Sequence, residues 1–264
     1  LHDDEGIPYS DMAILCRKNA QSRPFEEKFS FRGIPYRVLG GTRFYDRKEI
    51  KDVMAYMHLV ENPRDDVAMT RIINEPKRGI GPKSLGRIVS YAKAYKISIF
   101  EALKEAEVVG SLSKKSRAAV ANLVSMLDEL GAEQDNMELS DIYDNLIRRS
   151  EYLTALEEEN TVEADARIEN ILELRSVIVE FENKAAGAIL ADEEDEFKEE
   201  REILRAEGFD VQEPTLLQSF LERIALLSDI DNRDESEDAV VMMTLHSSKG
   251  LEFPVVFMPG MENG

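Results

Sequence analysis

The sequence has one cysteine, Cys16, and only three histidines in 264 residues. One thiol cannot form an internal disulfide, and such usage points to a reducing compartment. The histidines nearest to Cys16 in sequence, His2 and His58, give no zinc-ligand or Cys–His nucleophile spacing. Cys16 closes the apolar run "MAILC" and reads as a small buried hydrophobe. No run reaches the roughly 18 apolar residues of a membrane-spanning helix. No positively charged leader precedes an apolar stretch and a small-residue cleavage site. Net positive charge is lacking too: 33 Lys and Arg face 53 Asp and Glu, for a formal charge of −20. Taken whole, that argues against a nucleic-acid partner. The charge is uneven, however. Residues 1–100 hold 18 basic and 13 acidic residues, and the other 164 hold 15 and 40. Affinity for a phosphate backbone follows local patches rather than the total. One part can therefore meet DNA or RNA while the rest repels it.

At 43% apolar residues the chain can bury one large core or two modest ones. "MAILC" (12–16) predicts a buried strand, and "NAQSRPFEEKFSFRG" predicts a loop and a helix. "IPYRVL" (34–39) predicts a second strand, closed by a turn at Gly40 and Gly41. Strand, helix and strand in some forty residues indicate an α/β layer. From Asp46 the apolar spacing changes to three and four (Ile50, Val53, Met54, Met57, Val60), which predicts an amphipathic helix ending near "ENPRDD". Helical periodicity then continues through "SLGRIVSYAKAY", "SRAAVANLVSMLDELG", "LSDIYDNLIRRSEYLTAL", "ARIENILELRSVIVEFE" and "PTLLQSFLERIALL". The charge-dense stretch 192–201 reads as a solvated helix end or loop, and 229–238 as an acidic linker. Strands return at 240–245 and 254–258, and both look fully buried. Sheet-forming segments at both ends of a helical block are the pattern of one domain inserted in another. Two sequential domains with a disordered tail are the alternative. An opening Leu and an end at "MENG", just after a strand, read as signs of a piece excised from a longer protein.

Three stretches carry candidate chemistry. In "RIINEPKRGIGPKSLGRI" (71–88), Arg71, Lys77, Arg78, Lys83 and Arg87 face one acid, Glu75. Gly79 and Gly81 flank Ile80, which suits the core of a helical hairpin, and Pro82 suits a first helical turn. Glycine lets free N–H groups at the helix start approach a phosphate oxygen. A tight turn with incidental basic residues explains the same pattern without a ligand. In "CRKNAQSR" (16–23), Arg17 and Asn19 follow the first strand, where ligands of open α/β sheets bind. Arg23 serves there or caps the structure that follows. In "TLHSSKGLEF", Thr244, His246, Ser247, Ser248 and Lys249 lie between two strands, with Gly250 for a tight turn and Glu252 beyond. "SSKG" is half of a phosphate loop. The upstream glycines of G-x-x-x-x-G-K-[ST] are absent, so this is no independent nucleotide site, and no Asp-rich strand end offers a metal ligand.

Five stretches together resemble superfamily 1A DNA helicases of the UvrD/Rep/PcrA type: "AILCRKNAQSR", "GIPYRVLGGTRFYDRKEIKDVMAYMHLVENPRDD", "IINEPKRGIG", "ARIENI" and "VMMTLHSSKGLEFPVVFMPGMENG". They follow the family order along nearly the whole chain. The resemblance implies an α/β RecA-like motor domain, partial and of P-loop NTPase type (residues 1–39 with 239–264), interrupted by an inserted all-α accessory domain (40–238). It implies that Arg17, Asn19, Thr244 and His246 meet single-stranded DNA. Lys51, Gly79, Ile80, Gly81 and Ser84 then meet duplex DNA, and Glu252, Lys249 and Gly250 touch a nucleotide held mainly elsewhere. No bound metal belongs to the chain itself. His58 stands where relatives often have arginine, Ser84 where they have threonine, and Cys16 where tyrosine is common.

The resemblance further implies a 3′-to-5′ DNA helicase that uses ATP and Mg²⁺ in the full-length parent. The isolated chain is expected to be inactive, because Walker A, Walker B and motif VI are missing. Its implied partners are single-stranded and duplex DNA, the first motor domain of the same chain, and repair, replication or transcription proteins through the accessory domain. A bacterial, cytoplasmic, DNA-associated setting with no membrane follows. The alternative is a non-catalytic interaction or DNA-binding scaffold derived from a helicase.

Overall fold

The computed structural model describes residues 1–39, 41–105, 108, 110–191, 214–231 and 238–260. The charge-dense stretch 192–201, most of the acidic linker at 229–238, and Gly40 lie outside them. Four strands form one parallel sheet: β1 (Met12–Cys16), β2 (Tyr36–Val38), β3 (Val240–Thr244) and β4 (Val255–Phe257), in the order β2-β3-β1-β4. The end segments are thus interleaved, with β3 lying between β2 and β1. Alternation along the central strands sends Ile14, Cys16, Val240 and Met242 into one core. Ala13, Val241 and Met243 enter another on the opposite face. Burial on both faces explains why these strands read as continuous apolar runs.

One expectation fails at β4. Among the described residues it is an edge strand paired only with β1, and Val256 and Phe257 are 44% and 42% exposed. Its composition matches that of β3, but apolar content alone does not distinguish a central strand from an edge.

The helices are α1 (His2–Glu5), α2 (Arg23–Arg32), α3 (Lys48–Glu61), α4 (Asp66–Ile72), α5 (Pro82–Tyr95), α6 (Ile99–Ala102), α7 (Lys114–Glu133), α8 (Leu139–Ser150), α9 (Tyr152–Glu159), α10 (Val162–Ala191) and α11 (Leu216–Asp231). Among the described residues no strand lies between Val38 and Val240. The single helix expected across 139–156 is broken into α8 and α9 because Glu151 adopts a left-handed conformation, φ 59°. The fold is therefore a small parallel sheet flanked by helices, with further all-helical segments, consistent with a RecA-like motor domain carrying an inserted helical domain. No helix is long and apolar enough to cross a membrane among the described residues.

The chain divides into two compact units, one of Leu1–Met54, Tyr152–Leu174 and Glu222–Gly264, the other of Ala55–Glu151 and Arg175–Leu221. The sheet unit contains a buried polar network that composition did not announce. Arg47 donates to Asn170 Oδ1 at 2.6 Å, to Ser22 Oγ at 3.2 Å and to the Thr42 carbonyl at 3.3 Å. Asn170 donates in turn to Glu49, while Glu26 accepts from Ser22 and from the Phe44 amide. Burial lowers the Arg47 pKa from its ordinary value, and Glu26, Glu49 and Glu173 oppose that. Arg23 is buried as well. Burial works against its charge, but ion pairs with Glu27 (3.0 Å) and Glu173 (2.7 Å) outweigh it and hold the guanidinium protonated. Arg23 therefore anchors α2 rather than presenting a ligand donor. In the helical unit, α7 and α8 pack through apolar faces that include Leu123, Leu127, Ile142 and Leu146.

Candidate nucleic-acid interface

In the sheet unit the parallel register pairs Cys16 with Thr244, so β1 and β3 end side by side. The loops that leave them share one sheet edge, and the Leu245 amide donates to the Cys16 carbonyl at 3.0 Å. This register brings Arg17 and His246 to the same edge, both exposed. The Gln21 side chain accepts the Arg17 and Lys18 amides at 3.0 and 3.2 Å, which folds the turn beginning at Asn19. Lys18 is ion-paired with Glu169, a residue of the "ARIENI" stretch.

After β3, Thr244 Oγ1 accepts the Ser247 amide at 3.2 Å and bonds Ser247 Oγ at 2.9 Å. Ser248 Oγ donates to the Leu245 carbonyl at 2.8 Å. Hydroxyls bonded to nearby backbone hold such a turn without a helix or ladder. Thr244 is thus engaged in shaping the loop, and His246, Lys249, Gly250 and Glu252 are left exposed. Gly250 has φ 86°, a conformation that disfavours any side chain. Cys16, 2% exposed, has its thiol pKa raised by burial first and by the Glu26 charge second, which agrees with a structural role.

The second candidate surface belongs to the helical unit. Asn74 Oδ1 accepts the amides of Arg78 (2.9 Å) and Ile80 (3.0 Å), curling residues 74–80 into a hairpin. Ile80 is buried, as a hairpin core residue should be. Gly79 has φ 73°, and a Cβ there would lie 2.8 Å from Ser116 Oγ. Gly81 differs. It precedes α5 with φ −76°, and a Cβ there meets nothing within 4 Å. No side chain caps α5, and Pro82 occupies its first turn. The N–H groups of Lys83 and Ser84 belong to the set that an α-helix leaves without an internal partner.

Arg78 departs from its expected role as one of the cations facing a phosphate. It is 8% exposed and donates to the carbonyls of Ile72 (2.8 Å) and Glu75 (3.1 Å) and to the Tyr56 hydroxyl. Backbone carbonyls that need a donor took the cation inward. Lys77, Lys83 and Arg87 remain exposed, and Ser84 is half-buried. Lys51 is exposed, ion-paired with Asp46 at 2.6 Å, and falls in the other compact unit from the glycine hairpin. Among the described residues no cluster of His, Cys, Asp and Glu could hold a metal ion.

A family model described as "UvrD-like helicase C-terminal domain" matches residues 1–264. A protein named "ATP-dependent DNA helicase PcrA" from Staphylococcus aureus (strain Mu50) is 42% identical over 261 residues, which is 99% of this chain and 32% of that protein. The protein of the same name from Bacillus subtilis (strain 168) is 40% identical, covering 100% of this chain and 33% of the relative. A third, from Staphylococcus epidermidis, is 41% identical over 261 residues. The chain spans about a third of the length of these relatives. With the family model covering its full length, the chain belongs to the UvrD-like helicase C-terminal domain family.

Proposed function

We propose that this chain supplies the second motor domain, residues 1–39 with 239–264, and the inserted accessory domain, 40–238, of an ATP-dependent 3′-to-5′ DNA helicase. The observation that carries the reading is the Cys16–Thr244 register, which sets the two polar loops at one sheet edge. At that edge Arg17 donates to a phosphate of the single strand, Asn19 and His246 hold its backbone, and Thr244 keeps the loop in shape. Contacts of this kind position the strand without reading sequence.

ATP and Mg²⁺ fit this chain only as an auxiliary contact. Glu252 and Lys249 are exposed beside the Gly250 turn, while the sequence lacks the glycines that would cradle phosphates. The nucleotide, held mainly by a first motor domain, supplies the energy that opens and closes the cleft between the motors. Glu252 faces its ribose in this scheme, and Lys249 and Gly250 border it. In the accessory domain, Gly81 and the start of α5 grip duplex phosphate through backbone N–H groups. Ile80 anchors the hairpin, and Ser84 and Lys51 add contacts. The same domain offers surface to repair, replication or transcription proteins, in a bacterial cytoplasm.

Two measurements test this. The isolated chain should show no DNA-stimulated ATP turnover, and turnover by it would overturn the division of labour between motor domains. In the full-length helicase, Gly81→Ala should weaken duplex or junction binding while single-strand-stimulated ATPase stays nearly unchanged. Because the fold has open space at Gly81, a variant that binds duplex normally would remove the hairpin from the interface.

A further inference from the structure

The "ARIENI" stretch, residues 166–171, lies in the part of α10 that belongs to the sheet unit. Two buried cations fasten the helix there. Arg47 donates to Asn170, which is 5% exposed, and Arg23 donates to Glu173 at 2.7 Å. Glu169 stands one residue before Asn170, so its place is fixed by its neighbours rather than by its own contacts. Its carboxylate pairs with Lys18, the residue between Arg17 and Asn19 in the loop after β1.

The fold gains little from that pair. The Lys18 and Glu169 side chains are 55% and 37% exposed, and an ion pair so exposed adds little stability and is screened by salt. Arg47 and Arg23 already anchor α10. What the pair changes is the charge offered at the sheet edge. Arg17 and Lys18 are consecutive cations at the end of β1. Among the described residues Lys18 has a carboxylate partner and Arg17 has none. A single strand along this edge is a row of phosphates that competes with Glu169 for the Lys18 ammonium. Glu169 belongs to the same chain and acts at high effective concentration, whereas the phosphates arrive from solvent. The Lys18 amide, held by Gln21, keeps the loop from carrying the cation away.

We propose that Glu169 withholds Lys18 from the single strand and so limits the grip of this motor domain. The proposal rests on the reading of the sheet edge as the single-strand site, and it adds to that site a residue that weakens it. Arg17 is the standing phosphate donor, and Lys18 is a second cation kept on a carboxylate. A motor that steps along a strand must release each phosphate that it binds. One phosphate contact fewer makes that release easier.

The test uses the full-length helicase without nucleotide and single-stranded oligo(dT), with affinity measured by anisotropy across a series of salt concentrations. Glu169→Gln should raise affinity about threefold and steepen the plot of log affinity against log salt by roughly 0.7, the contribution of one added phosphate contact. Combining it with Lys18→Gln should abolish both gains. Unchanged affinity and slope in Glu169→Gln overturn the proposal. A gain that survives in the double variant overturns it too, because the gain then comes from removing a negative charge and not from releasing Lys18. So does a loss of melting temperature together with affinity in Glu169→Gln, which makes the pair a structural clamp. Arg17→Ala, measured in parallel, tests the edge itself. If Arg17→Ala flattens the slope and Glu169→Gln leaves it, the edge holds the strand and the withheld cation alone is wrong. If neither variant moves the slope, the sheet edge is not the single-strand site.

Discussion

The sheet edge and the glycine hairpin both present polar groups to solvent, but they are built in opposite ways. At the sheet edge, position comes from hydrogen-bonded register: Cys16 and Thr244 are paired across a ladder, and whatever follows each strand must emerge beside the other. The side chains that emerge, Arg17 and His246, carry little of the fold. In the hairpin, three side chains are turned inward. Arg78 holds carbonyls, Asn74 holds amides and Ile80 fills the core, so the fold depends on them, while Lys77 stays exposed. Substitutions should therefore separate function from stability easily at the sheet edge, and only at chosen positions in the hairpin.

The largest effect expected concerns neither surface but the buried network around Arg47. Arg47→Ala would leave Glu26, Glu49 and Asn170 buried without their cation. Removing one partner of a buried ion pair costs about 3–5 kcal/mol. Chemical denaturation should show a destabilisation of that size, and single-strand binding at the sheet edge should weaken with it. A loss below about 1 kcal/mol would mean that the network is wet or rearranges.

Next in size, Gly79→Ala should destabilise the helical unit by about 1–3 kcal/mol. It would place a side chain at φ 73° and a Cβ 2.8 Å from Ser116 Oγ. The neighbouring Gly81→Ala should be neutral or stabilising by up to about 1 kcal/mol, since its φ of −76° suits alanine. Melting temperatures of the two variants sharpen the comparison within two residues of chain. Equal losses would abolish the distinction between a glycine required by the fold and one left free by it.

A smaller effect is expected at the sheet edge. Arg17→Ala should change stability by no more than about 0.5 kcal/mol, as for other exposed positions. It should lower the salt slope of single-strand binding by about 0.7, the contribution of one phosphate contact. Parallel loss of melting temperature and of duplex binding would place Arg17 with the structural cations Arg47 and Arg78. The smallest effect is an absence of reaction. With burial and Glu26 both raising the thiol pKa, Cys16 should resist alkylation at neutral pH until denaturant is added. Fast labelling of the native chain would show that the end of β1 opens to solvent.

Local pattern was enough for much of this molecule. The runs 12–16 and 240–244 are strands because they are apolar without interruption, and α3 is a helix because its apolar residues recur every three or four. Gly79, Ile80, Gly81 and Pro82 mark a turn and a helix start through backbone chemistry that each residue type carries by itself. What local pattern could not determine were partners distant in the chain. Arg78 reads as one more surface cation in a basic stretch until Tyr56 and the Ile72 carbonyl claim it. Val256 and Phe257 read as core until β4 proves to be an edge. The physical reason is the same in each case. Periodicity and turn chemistry are short-range properties, whereas desolvation and charge pairing depend on which surfaces the folded chain presses together.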